Sequence, residues 1–203
     1  MAQGTKNLDP RWGFSRRDFL RGSGAVAAAT AIAQQSTAAL AQEKGAKVTS
    51  GATTITLDVN GQSKQVKVEP RTTLLEVLRY QLDLTGAKPI CTDGSSGGAT
   101  VLVDDKPMQA NTMLALQAVG KKIRTVESLA GSAVPNAFVT CDAQQCGFCT
   151  PGFVVGVKAF LDKSPKATEE EIRKGLNGNL CRCGTYANVI HAALMVVKGG
   201  ANG

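Results

Sequence analysis

Four of the six cysteines of this 203-residue chain fall in one short stretch, as Cys146-Gly147-Phe148-Cys149 and Cys181-Arg182-Cys183. The spacing is C-x2-C, a gap of 31 residues, then C-x-C. Two close pairs on two loops can present four thiolates to one small centre, and thiolates are soft ligands that suit zinc or an iron–sulfur cluster. A helix N-terminus beside such a loop favours the deprotonated sulfur. Gly147 lets backbone N–H groups approach the sulfurs, and Phe148 and Leu180 can exclude water; both effects tune a bound centre. Zinc is one competing reading, although C-x-C is tight for a single tetrahedral ion and zinc loops commonly use C-x2-C twice. Disulfides are another, although a bridge within C-x-C would be strained.

Other side chains that could react have plainer readings. His191, the only histidine, lies at helical spacing and reads as a hydrogen-bonded or exposed side chain rather than a ligand. Phe148 and Tyr186 read as packing residues, and Arg182 as a donor to nearby carbonyls or carboxylates. Cys91 opens a Gly/Ser-rich run that ends at Gly98, and Cys141 stands five residues before Cys146.

The elements that must position these loops follow from periodicity. Thr53 to Val59 alternates with period two and predicts a strand, Asn60-Gly61 a tight hairpin turn, and Lys64 to Glu69 the returning strand. Pro70 ends it. Thr72 is the expected cap of a helix whose Leu74, Leu75, Val77, Leu78 and Leu82 make one apolar face through Leu84, with Gly86 closing it. Cys91 to Gly98 reads as loop, Ala99 to Val103 as strand, Asp104-Asp105 as turn, Met113 to Val119 as an apolar segment and Ile123 to Val126 as a further strand. Hairpin, helix, then strands is a β-grasp order, expected over 51–126. Beyond Glu127 the spacing is helical, at Phe138-Val139, Phe153 to Leu161, Glu169 to Leu176 and Tyr186 to Val197, which predicts a small all-α four-helix domain over 127–203. Pro151 suits a first helical turn, and Thr168 with Glu171 forms a capping box. The fold class expected is α+β.

Ahead of these elements, Ser15-Arg16-Arg17-Asp18-Phe19-Leu20 precedes a Gly/Ala-rich run from Gly22 to Ala33, which resembles a twin-arginine export signal. The run is too short and too interrupted by polar residues to span ~30 Å of hydrocarbon. Ala39-Leu40-Ala41 is an A-x-A site, so 1–41 reads as signal, with cleavage before Gln42 and a polar linker over 42–50. The whole chain carries +7, but the signal holds five basic residues against two acidic ones, which leaves +4 after cleavage. No face dense in Lys/Arg with interleaved aromatics remains, so nucleic acid is not an expected partner, and no membrane span is expected in the mature chain. With 43% hydrophobic residues the chain is no disordered tail, and with 4% aromatic its core must be built from Ala, Val, Leu and Ile.

Gln145 to Gly152 and Gly178 to Tyr186, with their mutual spacing, resemble the small iron–sulfur subunit of the xanthine oxidase family of molybdenum hydroxylases, which includes periplasmic aldehyde oxidoreductases. The likeness covers nearly all of Thr53 to Val197. It implies a plant-ferredoxin-like β-grasp domain followed by a helical domain whose 2Fe-2S cluster lies near the molybdopterin of a large partner subunit. It further implies Cys146, Cys149, Cys181 and Cys183 as ligands of that cluster, and Gln145 and Cys183 as positions that approach the pterin across the interface. The family's first cluster motif is C-x4-C-x2-C with a fourth Cys later. Here only Cys91 matches it, and Ser96, Ala99 and Met113 stand at the other positions. Neither Ser nor Met supplies an anionic sulfur, so one 2Fe-2S cluster per chain is expected. The implied function is electron transfer in the periplasm from the partner's molybdenum cofactor to a cytochrome or another acceptor, with substrate chemistry in the partner and no catalytic residue in this chain. The rival reading is a non-redox scaffold or assembly subunit with a zinc or vestigial cluster site.

Overall fold

Alternating apolar residues in Thr53–Val59 and Gln62–Val68 make the first two strands of a sheet, β1 and β2, joined by Asn60-Gly61. Both turn residues have positive φ, 53° and 75°, as the tight turn of a twisted hairpin requires. The computed structural model describes residues 50–199. After the hairpin come α1 (Leu74–Tyr80), β3 (Thr100–Val103), β4 (Lys106–Gln109) and β5 (Lys122–Arg124), then α2 (Ala133–Thr140), α3 (Thr150–Lys163), α4 (Glu169–Gly175) and α5 (Tyr186–Val197). The expected signal over 1–41 and the linker up to residue 49 lie outside the described residues. Among those described, no helix is long and apolar enough to cross a membrane.

The sheet is mixed, in the order β2-β1-β5-β3-β4, with β1 and β5 parallel and every other pair antiparallel. β3 is buried on both faces. Val101 and Val103 point into an apolar core shared with Leu57, Leu74 and Leu78, whereas Leu102 between them joins a second core with Phe153, Val155, Ile172 and Val189. One strand thus lies between two cores, and period-two alternation sends successive side chains to each. The second core is built on the helices, and through it the sheet supports the helix that follows the C-x2-C loop.

Two local expectations change, and one strand appears where none was expected. The cap of α1 is Thr73 rather than Thr72: its hydroxyl accepts the Glu76 N–H at 3.2 Å and the Glu76 carboxylate accepts the Thr73 N–H at 2.7 Å. The Thr72 hydroxyl instead accepts the Glu69 N–H. That helix also stops at Tyr80, because Asp83 turns to a φ of 54°, yet Leu82 and Leu84 still pack on the core from the turn beyond. Finally, Lys106–Gln109 is a strand, and it sits at the sheet edge, where Pro107 deprives no interior ladder of a donor.

Candidate metal centre

The C-x2-C pair lies on the loop that enters α3. Pro151 occupies the first turn of that helix and Cys149 is its N-cap residue. Gly147 has φ 76° with open space where a Cβ would stand, so glycine is required there by conformation rather than by crowding. The C-x-C pair lies on the loop between α4 and α5. Thr168 and Glu171 form the expected capping box at the start of α4. On the far side of the loop, Tyr186 opens α5, and its hydroxyl accepts the Cys181 N–H at 2.8 Å. The Tyr186 ring meets the buried Phe153 of α3 edge-on, centroids 6.0 Å apart at 81°, so the loop backbone is referenced to the core.

The two loops set the predicted thiols near one another in pairs rather than around a single point. Burial, with the Cys181 and Cys146 sulfurs beside it, pushes the Cys149 thiol up to about 12. Burial also acts to raise Cys181, but the hydroxyl and N–H of Thr185 outweigh it and bring that thiol down to about 7; the Thr185 hydroxyl lies 3.1 Å from the sulfur. At Cys183 the Cys146 N–H lowers the pKa, while the Cys146 thiol and its charge, with Cys181, raise it above the ordinary value overall. Cys149 thus meets Cys181, and Cys146 meets Cys183. Among the described residues no three His, Cys, Asp or Glu side chains converge on one metal-ion position. The sulfurs grade from inside to outside, with Cys181 buried, Cys149 half-buried and Cys146 and Cys183 exposed.

Gln145, Arg182 and, on α5, His191 are exposed. Two readings of the rim need correction. Phe148 is not a packing residue within this chain, since it is 50% exposed, and Leu180 is 54% exposed, so neither excludes water from the sulfurs unaided. Tyr186 packs as expected but also holds Cys181, a role its hydroxyl carries. Thr185 and Asn179 were missed. Both sit inside the Gly178 to Tyr186 motif, but a hydroxyl or amide near a cysteine gives no sequence signal until its partner is known.

Cys91 and Cys141, like the other four cysteines, are free. The Cys91 sulfur lies 2.8 Å from the Ser96 hydroxyl and accepts the Ser96 N–H at 3.3 Å, while Asn111 Nδ2 donates to the Cys91 carbonyl at 2.8 Å. Burial acts to raise Cys91, but the Ser96 hydroxyl and N–H hold it below the ordinary thiol value. Ala99 and Met113, 2% and 6% exposed, are packed in the core of the sheet and α1. Cys141 caps α2 and packs on the helical core.

Residues 125–194 match the family described as the 2Fe-2S binding domain, and residues 13–33 match the twin-arginine translocation pathway signal sequence. Over 145 residues the chain is 41% identical to the nicotinate dehydrogenase small FeS subunit of Eubacterium barkeri, spanning 70% of this chain and 92% of that one. The chain belongs to the small iron–sulfur subunits of the molybdenum hydroxylases. As a member it is a subunit of a molybdenum-dependent oxidoreductase, and its twin-arginine signal directs export to the periplasm. Over 197 residues it is 36% identical to the aldehyde oxidoreductase iron–sulfur-binding subunit PaoA of Escherichia coli K12, covering 88% of this chain and 86% of the relative. The fold matches quinoline 2-oxidoreductase from Pseudomonas putida 86 with TM-score 0.70 and 36% identity, over 76% of this chain and 99% of that one. It also matches aldehyde oxidoreductase from Desulfovibrio desulfuricans ATCC 27774, TM-score 0.68 and 34% identity, over 72% of this chain and 17% of that longer chain.

Proposed function

We propose that this chain is the electron-transfer subunit of an exported molybdenum hydroxylase and holds a single 2Fe-2S cluster on Cys146, Cys149, Cys181 and Cys183. The observation that carries the reading is the match of residues 125–194, which hold Cys146, Cys149, Cys181 and Cys183, to the 2Fe-2S binding domain, with these thiols neighbouring one another in pairs across two loops. A donor set of four thiolates fits a 2Fe-2S centre. When bound, such a cluster supplies a one-electron redox centre. The chain's own groups prepare the donors: Thr185 favours the Cys181 thiolate, Tyr186 fixes its backbone, and Gly147 gives the C-x2-C loop its left-handed turn.

Substrate chemistry belongs to a large molybdopterin-bearing partner, with Gln145 and Cys183, both exposed at the rim, nearest its cofactor. The half-exposed Phe148 and Leu180 beside the sulfurs suit burial under that partner. Two apolar cores support a layout of a β-grasp domain over 51–126 and a cluster-binding helical domain over 127–203. Removal of 1–41 leaves 42–50 as a linker. The β-grasp domain holds no cluster, because Ser96, Ala99 and Met113 offer no thiolate and the last two are core packing. The electron acceptor is therefore a separate carrier such as a cytochrome.

A serine scan of the purified protein tests the assignment. Replacing any of Cys146, Cys149, Cys181 or Cys183 by Ser removes a soft ligand and lowers iron content and visible absorbance, whereas Cys91→Ser and Cys141→Ser leave both unchanged. Loss of the chromophore in Cys141→Ser, with retention in Cys146→Ser, contradicts it.

A further inference from the structure

The Cys181–Cys183 loop is tied to a part of the chain far from it in sequence. Asn179, two residues before Cys181, is 9% exposed, and its Nδ2 donates to the Gly97 carbonyl at 3.0 Å across 82 residues. The same carbonyl accepts the Thr100 hydroxyl at 2.6 Å, and Gln109 Nε2 donates to that hydroxyl at 2.9 Å. Next along the loop, the Leu180 N–H donates to the Ser96 carbonyl at 3.0 Å. The run from Cys91 to Gly98 therefore grips the residues that lead into Cys181 through one side-chain and one backbone hydrogen bond.

Three glycines make room for this grip. A Cβ on Gly97, whose φ is 72°, would collide with the Gly178 carbonyl, and one on Gly152 of α3 would collide with the Gly97 carbonyl. One turn further along α3, a Cβ on Gly156 would stand 2.9 Å from Asn179 Oδ1. Asn179 is thus boxed between α3 and the Cys91 loop, with its amide oriented by a buried acceptor. A buried donor held in this way resists displacement, because moving it leaves the Asn179 amide N–H without its acceptor, while the Gly97 carbonyl keeps Thr100.

We infer that Asn179 is a positioning residue for the Cys181–Cys183 pair, and that the Cys91 loop, in place of holding a cluster of its own, is the splint against which that pair is set. The inference rests on the proposed assignment of Cys181 and Cys183 as cluster ligands. A merely structural Asn179 contributes to folding and leaves the bound centre alone; a positioning Asn179 alters the centre itself.

The test compares full-chain protein purified with its cluster, by electron paramagnetic resonance of the reduced form, visible circular dichroism, midpoint potential, iron content and thermal midpoint. Asn179→Asp keeps the shape but sets a carboxylate oxygen against the Gly97 carbonyl, and Gly156→Ala crowds Asn179 Oδ1 while favouring the helix. Ile172→Val, fully buried in α4, is the control for lost stability. The expected result is shifted g-values and a shifted midpoint potential in both loop variants, with Ile172→Val lowering only the thermal midpoint. Loss of the cluster from folded Gly156→Ala counts the same way, and if Asn179→Asp does not fold, Gly156→Ala decides. Wild-type g-values and potential in the loop variants overturn the inference. Wild-type protein without a reducible 2Fe-2S signal overturns the cluster assignment itself, so the two failures are distinct.

Discussion

The Ser96 hydroxyl lies 2.8 Å from the Cys91 sulfur, and the Ser96 carbonyl accepts the N–H of Leu180, the residue before Cys181. One serine thus stands between the Cys91 thiol and the loop that carries the buried Cys181 thiol of the proposed cluster site. Its hydroxyl acts on the first and its backbone on the second. The two roles separate by mutation, because removing the hydroxyl leaves the carbonyl in place.

Ser96→Ala should therefore change Cys91 without changing the centre. Cys91 is held below its ordinary value of 9.0, so at neutral pH it carries more thiolate than a free cysteine, and that excess vanishes as pH falls through the depressed value. In the loaded protein the rate of Cys91 alkylation by iodoacetamide, followed by mass spectrometry against pH, should rise at lower pH than for a model thiol. Ser96→Ala should move the profile to higher pH with iron content unchanged. An unmoved profile counts against the hydroxyl as the cause.

Tyr186→Phe deletes the acceptor of the Cys181 N–H, a part-buried hydrogen bond, for a loss of about 0.5–1.5 kcal/mol. Phe153→Ala removes the ring that Tyr186 packs against and opens a cavity in the helical core, a loss of about 3–5 kcal/mol. Urea unfolding of the loaded protein should order the midpoints as wild type, Tyr186→Phe, Phe153→Ala. Equal midpoints for wild type and Tyr186→Phe would show that water replaces the hydroxyl at no cost.

Export follows the arginine pair. Replacing both Arg16 and Arg17 by Lys should leave the protein in the cytoplasm with its signal attached, read by fractionation and by N-terminal sequencing, where the proposed cut after Ala41 gives Gln42 in the exported wild type. Normal export of the double variant contradicts the twin-arginine assignment.

Local pattern carried much of this molecule into view. The alternation of Thr53 to Val59, the Asn60-Gly61 turn and the Thr168-Glu171 cap are short-range effects, and the structure has each of them. The 2Fe-2S binding domain was legible because C-x2-C and C-x-C at their mutual spacing resemble that family's motifs, and residues 125–194 match it. β4 was hidden because Lys106-Pro107-Met108-Gln109 has no alternation and contains proline, which an edge position tolerates. The parallel pairing of β1 with β5, the placing of β3 between two cores and the Asn179 to Gly97 bond join residues far apart in sequence, and nothing local announces them. Phe148 misled for a different reason: an aromatic side chain reads as core until the structure shows it facing outward.

The central claim, one cluster on four thiols with none in the sheet domain, is tested most directly by counting metal in the purified, fully loaded protein alongside its electron paramagnetic resonance spectrum after dithionite reduction. The account predicts two irons per chain, no stoichiometric zinc and one 2Fe-2S signal. Four irons per chain, two distinct signals, or zinc in place of iron would contradict it.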